Sequence, residues 1–124
     1  MNTMPITLTI EEVRAALVAE MKGETRTTPR PERASIHQGD LLWVQEPWGL
    51  YQGAIVLGEE SGRKIPGVRG AERLEGKEYQ LRRADELPRN ASRLTLEVTE
   101  VLGDDLICKV HKVNVDQFLA SRKG

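Results

Sequence analysis

The chain has 124 residues, 39% of them hydrophobic and 30% charged, an ordinary balance for a single globular domain. Its formal net charge of −1 excludes a global basic field that would hold a nucleic acid by charge alone. The single cysteine, Cys108, excludes an internal disulfide and fits a reducing compartment. No apolar run approaches the ~20 residues of a membrane span, and residues 1–5 do not resemble a signal peptide. The sequence therefore predicts a cytoplasmic protein without a membrane partner.

Charge is distributed unevenly along the chain. Residues 1–60 carry 5 basic and 9 acidic side chains, whereas residues 61–93 carry 9 basic and 5 acidic ones. A basic middle segment would suit an anionic partner. The simpler interpretation is a solvated loop that carries charges of both signs.

The first regular element is a helix. Thr9 and Glu12 have the spacing of a capping box, in which each side chain accepts a hydrogen bond from the other residue's backbone N–H. Gly23 ends the pattern. The sequence predicts a helix over about residues 10–21, with one apolar stripe that packs on a sheet or barrel. The stripe contains Ile10, Val13, Ala16, Leu17 and Met21.

Residues 22–38 are polar and contain two prolines, so they predict no long regular element. After a Gly-Asp turn signal, residues 41–45 predict a strand that Pro47 ends, and residues 51–57 predict a second strand. Glycine-rich, charged residues 58–78 predict a long mobile loop, followed by a short strand near residues 79–81.

The C-terminal part predicts a hairpin and a short helix. Residues 94–99 alternate apolar and polar side chains, which is typical of a half-buried strand. Residues 106–115 predict its partner after a turn, and residues 115–121 a terminal helix. One helix followed by about five strands favours an α+β fold: a small closed or partly open barrel in a single domain over residues 1–124.

Three segments in order resemble the ASCH family, particularly its bacteriophage-encoded members. Residues 21–26 (MKGETR) place Lys22, Thr25 and Arg26 on the Lys, second Thr and Arg of the family's Lys-Thr-x-Thr-Arg stretch. Residues 39–48 (GDLLWVQEPW) look like the family's G-D-x-L-W-V-x-E-x-W strand, and residues 88–93 (PRNASR) look like the P-R-x-A-S-R strand entry. The resemblance covers roughly residues 8–57 and 86–101.

This resemblance implies a PUA-like β-barrel of about five to six strands with the N-terminal helix packed against it. It also implies a protein of the bacterial host cytoplasm that associates with RNA, single-stranded nucleic acid or a nucleoside and needs no cofactor. The first hypothesis is accordingly a module that recognises a nucleobase, including a modified one.

The side chains expected around the pocket supply complementary chemistry. Arginines and a lysine donate to phosphate or to base acceptors, and a carboxylate accepts from an exocyclic amine. A tryptophan stacks on a base, and a serine hydroxyl both donates and accepts. Ion pairing at the surface and burial of the tryptophan are the structural alternatives. The predicted binding residues are Arg26, Trp48, Arg89, Ser92 and Arg93, beside Lys22, Thr25 and Glu46.

The second hypothesis is an amidohydrolase, since some small family members remove an acyl group from N4-acylated cytidine. They use a Lys and a Thr three residues apart and a distant Glu, and Lys22 and Thr25 keep that spacing. The segment that carries the Glu is shortened here to residues 102–105. In this hypothesis Thr25 attacks the amide carbonyl, Lys22 moves the proton, and Glu46 or Glu24 is the carboxylate.

A third hypothesis is a phage accessory protein that binds a host protein, with the barrel only a scaffold. A metal site is not predicted. Cys108 and His111 have a C-x-x-H spacing, but on a strand they point to opposite faces, and the sequence has no second ligand pair.

Overall fold

The computed structural model describes residues 2–31, 35–51, 54–57 and 80–123. Within them the fold is α+β, as predicted. The elements in chain order are β1 (Thr3–Thr7), α1 (Ile10–Lys22), β2 (Thr25–Pro29), β3 (Leu41–Gln45), β4 (Trp48–Tyr51), β5 (Ala54–Leu57), β6 (Gln80–Arg82), β7 (Thr95–Leu102), β8 (Asp105–His111) and α2 (Val115–Lys123). The mobile loop predicted over 58–78 lies outside the described residues.

The main sheet has five strands in the order β1-β3-β7-β8-β2. Strands β1 and β3 run parallel, and the other neighbours are antiparallel. Across the described ranges β1 and β2 are the two edges and do not pair with each other, so no closed barrel forms there. A second, three-stranded antiparallel sheet has the order β5-β4-β6.

Helix α1 covers one face of the main sheet. The predicted capping box is present, because the Thr9 N–H donates to Glu12 Oε1 (2.9 Å) and the Glu12 N–H donates to Thr9 Oγ1 (3.2 Å). Val13, Ala16 and Ala19 are buried against the sheet. The prediction that Met21 belongs to the apolar stripe is wrong, since Met21 is 76% exposed. It lies two residues, or about 200° around the helix, from Ala19 and so faces away from the core.

Beneath α1 lies the hydrophobic core, to which strands β1, β3, β7 and β8 contribute. It comprises Ile6, Leu8, Val13, Ala16, Ala19, Ile36, Leu42, Val44, Leu94, Leu96, Val98, Leu106, Cys108 and Val110. The alternation that predicted β7 is confirmed, because Leu94, Leu96 and Val98 are all buried. The β7–β8 hairpin turns at Gly103, which has a left-handed backbone (φ 59°).

Both edge strands were missing from the elements predicted from the sequence. The β1 sequence (TMPIT) contains Pro5, and the β2 sequence (TRTTP) is almost entirely polar. An edge strand tolerates proline because one side of its backbone needs no ladder partner, and it tolerates polar side chains because water reaches them. The strand predicted over residues 51–57 is confirmed in part, as β5 (Ala54–Leu57), whereas Tyr51 belongs to β4. The two strands pair antiparallel, with Trp48 opposite Leu57 and Tyr51 opposite Ala54.

Helix α2 covers the opposite face of the main sheet. Val115 is fully buried, and Phe118 stacks on His111 with ring centroids 4.4 Å apart. The Thr95 hydroxyl donates to the Val113 carbonyl just before the helix (2.8 Å). The two faces are therefore occupied by different helices, which leaves the edges of the sheet as the accessible backbone. Within the described ranges, neither helix is long and apolar enough to cross a membrane.

Candidate functional site

Three openings follow strand β2 where it lies beside α1. The outer groove, of about 360 Å³, is lined by Arg14, Ala15, Val18, Ala19, Glu24, Thr25 and Arg26. The inner cavity, of about 50 Å³, is lined by Leu8, Glu12, Ala16, Arg26, Thr27, Thr28, Pro29 and Leu96. The edge cleft, of about 390 Å³, is lined by Pro5, Ile6, Thr7, Leu8, Glu12, Thr28, Pro29, Arg30, Pro31 and Gln45.

The three openings share walls. The inner cavity and the edge cleft have Leu8, Glu12, Thr28 and Pro29 in common, and the inner cavity and the outer groove have Arg26 in common. Both edge strands, β1 and β2, line the edge cleft. The main sheet therefore curls until its two edges face each other across this cleft, with the inner cavity behind it.

Arg26 is the residue on which the site centres. It lies opposite Cys108 in the β2–β8 register, and opposite residues of an antiparallel pair share a face, so its side chain points towards the buried face of the sheet. It is half-buried between α1 and β2. Its guanidinium has no hydrogen bond or ion pair with any residue in the described part of the chain. At such a partly exposed position water hydrates the cation, and a ligand with acceptor groups would replace that water.

Glu12 is the acidic counterpart in the same cavity. Its Oε1 accepts the Thr9 N–H in the helix cap, which holds the carboxylate at the entrance of α1. The second oxygen is not used by the cap. Because Glu12 lines both the inner cavity and the edge cleft, the carboxylate and the Arg26 guanidinium offer an acceptor and a donor to one ligand.

Gln45 forms a fixed wall of the edge cleft. Its Nε2 donates to the carbonyl oxygens of Asp85 and Leu87, each at 3.1 Å, and its Oε1 accepts from the Thr7 hydroxyl at 3.3 Å. These bonds join β1, β3 and the segment before β7. All polar atoms of this amide except one lone pair are engaged, so Gln45 shapes the cleft and leaves recognition to its neighbours.

The structure separates the three predicted catalytic residues. Lys22 and Thr25 are both exposed. Thr25 borders the outer groove, whereas Lys22 lines none of the three openings. Glu46 follows β3, which β7 and β8 separate from β2, and it borders none of the openings. The expected meeting of Lys22, Thr25 and Glu46 in one pocket is therefore not seen.

Glu46 has a different partner. Its carboxylate is fully buried and accepts two hydrogen bonds from Arg93, with Nε–Oε2 at 3.0 Å and Nη2–Oε1 at 2.9 Å. This bidentate geometry satisfies both groups. The pair joins the segment after β3 to the segment before β7, so it holds the framework together, and neither residue lines the cavity that Arg26 lines.

The remaining predicted binding residues also hold the framework. Ser92 is buried and donates to the Val44 carbonyl (2.8 Å). Arg89 pairs with Asp116 of α2 (2.8 Å) and donates to the Thr3 hydroxyl (3.0 Å).

The Trp48 indole N–H donates to the Arg83 carbonyl (2.8 Å). Of the five predicted binding residues, Arg26 is thus the one that the structure places in the cavity.

Sequence reasoning missed Glu12 as a candidate, because the capping box explained it completely. It also missed Thr28 and Arg30, because β2 was not predicted. The signal that was available is the polar sequence of residues 25–30, which carries arginines near both ends of a β-branched run. Such a run next to an amphipathic helix is typical of a wet edge strand.

Two other features have no role in this site. Burial raises the pKa of the Cys108 thiol to about 12, so it stays protonated and unreactive. Over the described ranges, no cluster of three or more histidine, cysteine, aspartate or glutamate side chains has the arrangement of a metal site.

Comparison of the chain with protein-family models, with curated proteins and with solved structures gave no match in any of the three. Function is therefore inferred from the geometry of β2 and α1 and from the three motifs.

Proposed function

We propose that the protein binds a nucleobase, as a nucleoside or within a nucleic acid, in the edge cleft and inner cavity. The observation that carries the proposal is the half-buried Arg26 side chain, unpaired within the described ranges, in a cavity that Glu12 also lines. A ligand that engages both would offer an acceptor to the cation and a donor to the carboxylate.

The chemistry of the cavity suits a base edge. Arginine donates to ring nitrogens and carbonyl oxygens, and a glutamate accepts from an exocyclic amine. Leu8, Ala16 and Leu96 supply apolar walls in the inner cavity, whose volume of about 50 Å³ admits the edge of a base and not a whole ring. The edge cleft of about 390 Å³ falls within the ~300–1,000 Å³ typical of small-molecule sites, so it has room for the rest of a nucleoside.

The resemblance supports the same proposal. Arg26 is the residue that falls on the arginine of the family's Lys-Thr-x-Thr-Arg stretch. The PUA-like barrel that the family implies is supported by the curl of the sheet, since both edge strands border the edge cleft. In this proposal β1 and β2 are the edges of an open barrel, and the gap between them is the entrance to the binding site.

Titration with nucleosides tests the proposal. Cytidine, N4-acetylcytidine, adenosine, guanosine and uridine are added to ¹⁵N-labelled protein, and amide shifts and calorimetric heats are followed. We expect shifts confined to the walls of these two openings, which lie in residues 5–16 and 25–31 and at Gln45 and Leu96, with Arg26→Met lowering the affinity at least about tenfold, or 1.4 kcal/mol. Arg83→Met is the matched control, because Arg83 is exposed, pairs with Asp85 and lines none of the three openings. Absence of binding by any nucleoside or short RNA would sink the proposal.

Glu12→Gln separates recognition from folding. Glutamine serves in a capping box as glutamate does, so the helix cap survives the substitution. The amide replaces an acceptor by a group that also donates, and we expect weaker binding of bases with an exocyclic amine than of uridine. An equal loss of affinity for all bases, including uridine, would mean that Glu12 has only a structural role.

An amidohydrolase that uses Thr25 is the second candidate. Glu24, Thr25 and Arg26 line one groove, which would supply a carboxylate, a hydroxyl and a donor for an oxyanion. Incubation with N4-acetylcytidine tests it: release of acetate that Thr25→Val abolishes would establish the reaction, and release that is equal with and without the substitution would exclude Thr25 as its nucleophile.

A further inference from the structure

We infer that the outer groove receives a second nucleotide, so that the ligand is an oligonucleotide strand lying along β2 and not a free nucleoside. This inference rests on the proposed function, and it adds the class of ligand and its direction across the surface. It comes from the way the three openings succeed one another along a single edge strand.

The outer groove and the edge cleft have similar volumes, about 360 and 390 Å³, and the inner cavity lies between them. The outer groove is bordered by Thr25 and Arg26, and the edge cleft by Thr28 and Pro29. Strand residues rise about 3.3 Å each, so Thr25 and Pro29 are about 13 Å apart. One nucleoside in the edge cleft would leave the outer groove empty, whereas a strand of several nucleotides would fill both.

Cations are spaced along this path. Arg14 lines the outer groove, Arg26 lines the groove and the inner cavity, and Arg30 lines the edge cleft. A strand presents one phosphate per nucleotide, and each of the three openings has an arginine in its wall. Glu12 and Glu24 are the carboxylates in these walls, and carboxylates accept hydrogen bonds from base amines.

The outer groove also has a surface for a base. Ala15, Val18 and Ala19 form an apolar strip, and Val18 is 44% exposed. Such a strip beside Arg14 and Arg26 offers an apolar contact for the face of a base and positive charge for its phosphate. The edge cleft would then select the base, and the outer groove would add affinity for its neighbour.

The test compares ligands of increasing length. Affinities are measured by calorimetry for cytidine, a dinucleotide, a tetranucleotide and an octanucleotide of cytidylate, each at two salt concentrations. Val18→Glu places a negative charge in the outer groove without touching the edge cleft. Leu102→Glu is the matched control, because Leu102 is 48% exposed and lies at the β7–β8 turn, outside all three openings.

We expect the tetranucleotide to bind at least about tenfold more tightly than cytidine, a gain of 1.4 kcal/mol, and Val18→Glu to abolish this gain while the affinity for cytidine stays unchanged. Leu102→Glu should retain the gain. Equal affinities for cytidine and the tetranucleotide, or equal losses in the two variants, would overturn the inference and leave the proposed function standing. If no ligand of any length binds, both proposals fall together.

Discussion

The Glu46–Arg93 pair shows how a residue suggested for function can serve the fold instead. Glu46 is fully buried, and Arg93 keeps only 17% of its side chain exposed. Removing the arginine would leave a carboxylate in the interior without a counter-charge, which is far more costly than losing an exposed pair. The W-V-x-E and A-S-R motifs therefore act together, since Ser92 also donates to Val44 of the same strand.

Arg93→Met is accordingly expected to lower the free energy of unfolding by about 3 kcal/mol in urea denaturation. Arg83→Met, which breaks an exposed pair, should change it by less than about 1 kcal/mol. A loss in Arg93→Met no larger than in the control would mean that Glu46 finds water or another donor.

The burial of the Cys108 thiol can be tested by chemical labelling. The thiol is buried in the core and its pKa is raised to about 12, so thiolate is scarce at neutral pH. Iodoacetamide at about pH 8, near the pKa of a free thiol, should leave the folded protein unlabelled, and labelling should appear only with unfolding in urea. Rapid labelling without denaturant would show that this face of the sheet opens.

At the scale of elements, the junction of α1 and β2 positions the whole candidate site. Gly23 has a left-handed backbone (φ 70°), and its N–H donates to the Ala19 and Glu20 carbonyls at the end of the helix. This turn brings β2 back along the helix, so that residues 24–26 face Arg14 and Val18. A side chain at this φ is strained, although open space surrounds the Cβ position.

Gly23→Ala is therefore expected to cost about 1 kcal/mol of stability, from backbone conformation and not from a clash. Gly23→Asn is the control and should cost less, because asparagine tolerates a left-handed backbone better than alanine does. Urea denaturation measures both variants. If alanine and asparagine cost the same, the strain argument fails.

Helix α2 is held to the sheet by a chain of charges and rings. Glu97 accepts from His111 Nε2 (2.9 Å) and from Arg122, whose guanidinium lies 4.6 Å from the centroid of the Phe118 ring. The hydrogen bond from His111, with that from Arg122, holds the pKa of Glu97 below its ordinary value despite the burial that opposes it. This element stabilises the face opposite α1 and leaves the candidate site untouched.

For the whole molecule, two carboxylates, Asp40 and Glu97, contribute stability that depends on pH. Burial would raise the pKa of Asp40, but hydrogen bonds from the backbone N–H groups of Asn2 (3.0 Å) and His37 (2.9 Å) keep it below the ordinary value. The pKa of Glu97 is also lowered. A group with a lowered folded pKa adds stability that is fully present above its unfolded pKa and is lost as the pH falls through the folded pKa.

The contribution of these two carboxylates to the free energy of unfolding should therefore stay constant between about pH 5 and 7 and decline below about pH 4. At neutral pH the Asp40→Asn variant should be less stable than the unsubstituted protein. On acidification its free energy of unfolding should fall by less. Asp105→Asn, on the exposed end of β8, is the control. Urea midpoints at about pH 3, 5 and 7 measure this, and an unchanged slope in Asp40→Asn would refute the assignment.

Local signals in the sequence determined the elements with strong periodicity or caps. The Thr9–Glu12 box and Gly23 predicted both ends of α1 nearly to the residue, the alternation of residues 94–99 predicted β7, and the hairpin partner and α2 followed. The helix caps and the alternation depend on residues only a few positions apart, so they can be recognised in the sequence. The motif of Lys22, Thr25 and Arg26 likewise pointed to the neighbourhood of the site.

Only the tertiary structure decided which side chains meet. Strands β1 and β2 have no periodic signal, because edge strands are specified by their neighbours β3 and β8. Their curl creates the edge cleft, and the pairing of Glu46 with Arg93 removes that carboxylate from it. Burial and partner choice are properties of contacts between residues distant in sequence, and therefore Arg26 could be distinguished from Arg89 and Arg93 only once the sheet was assembled.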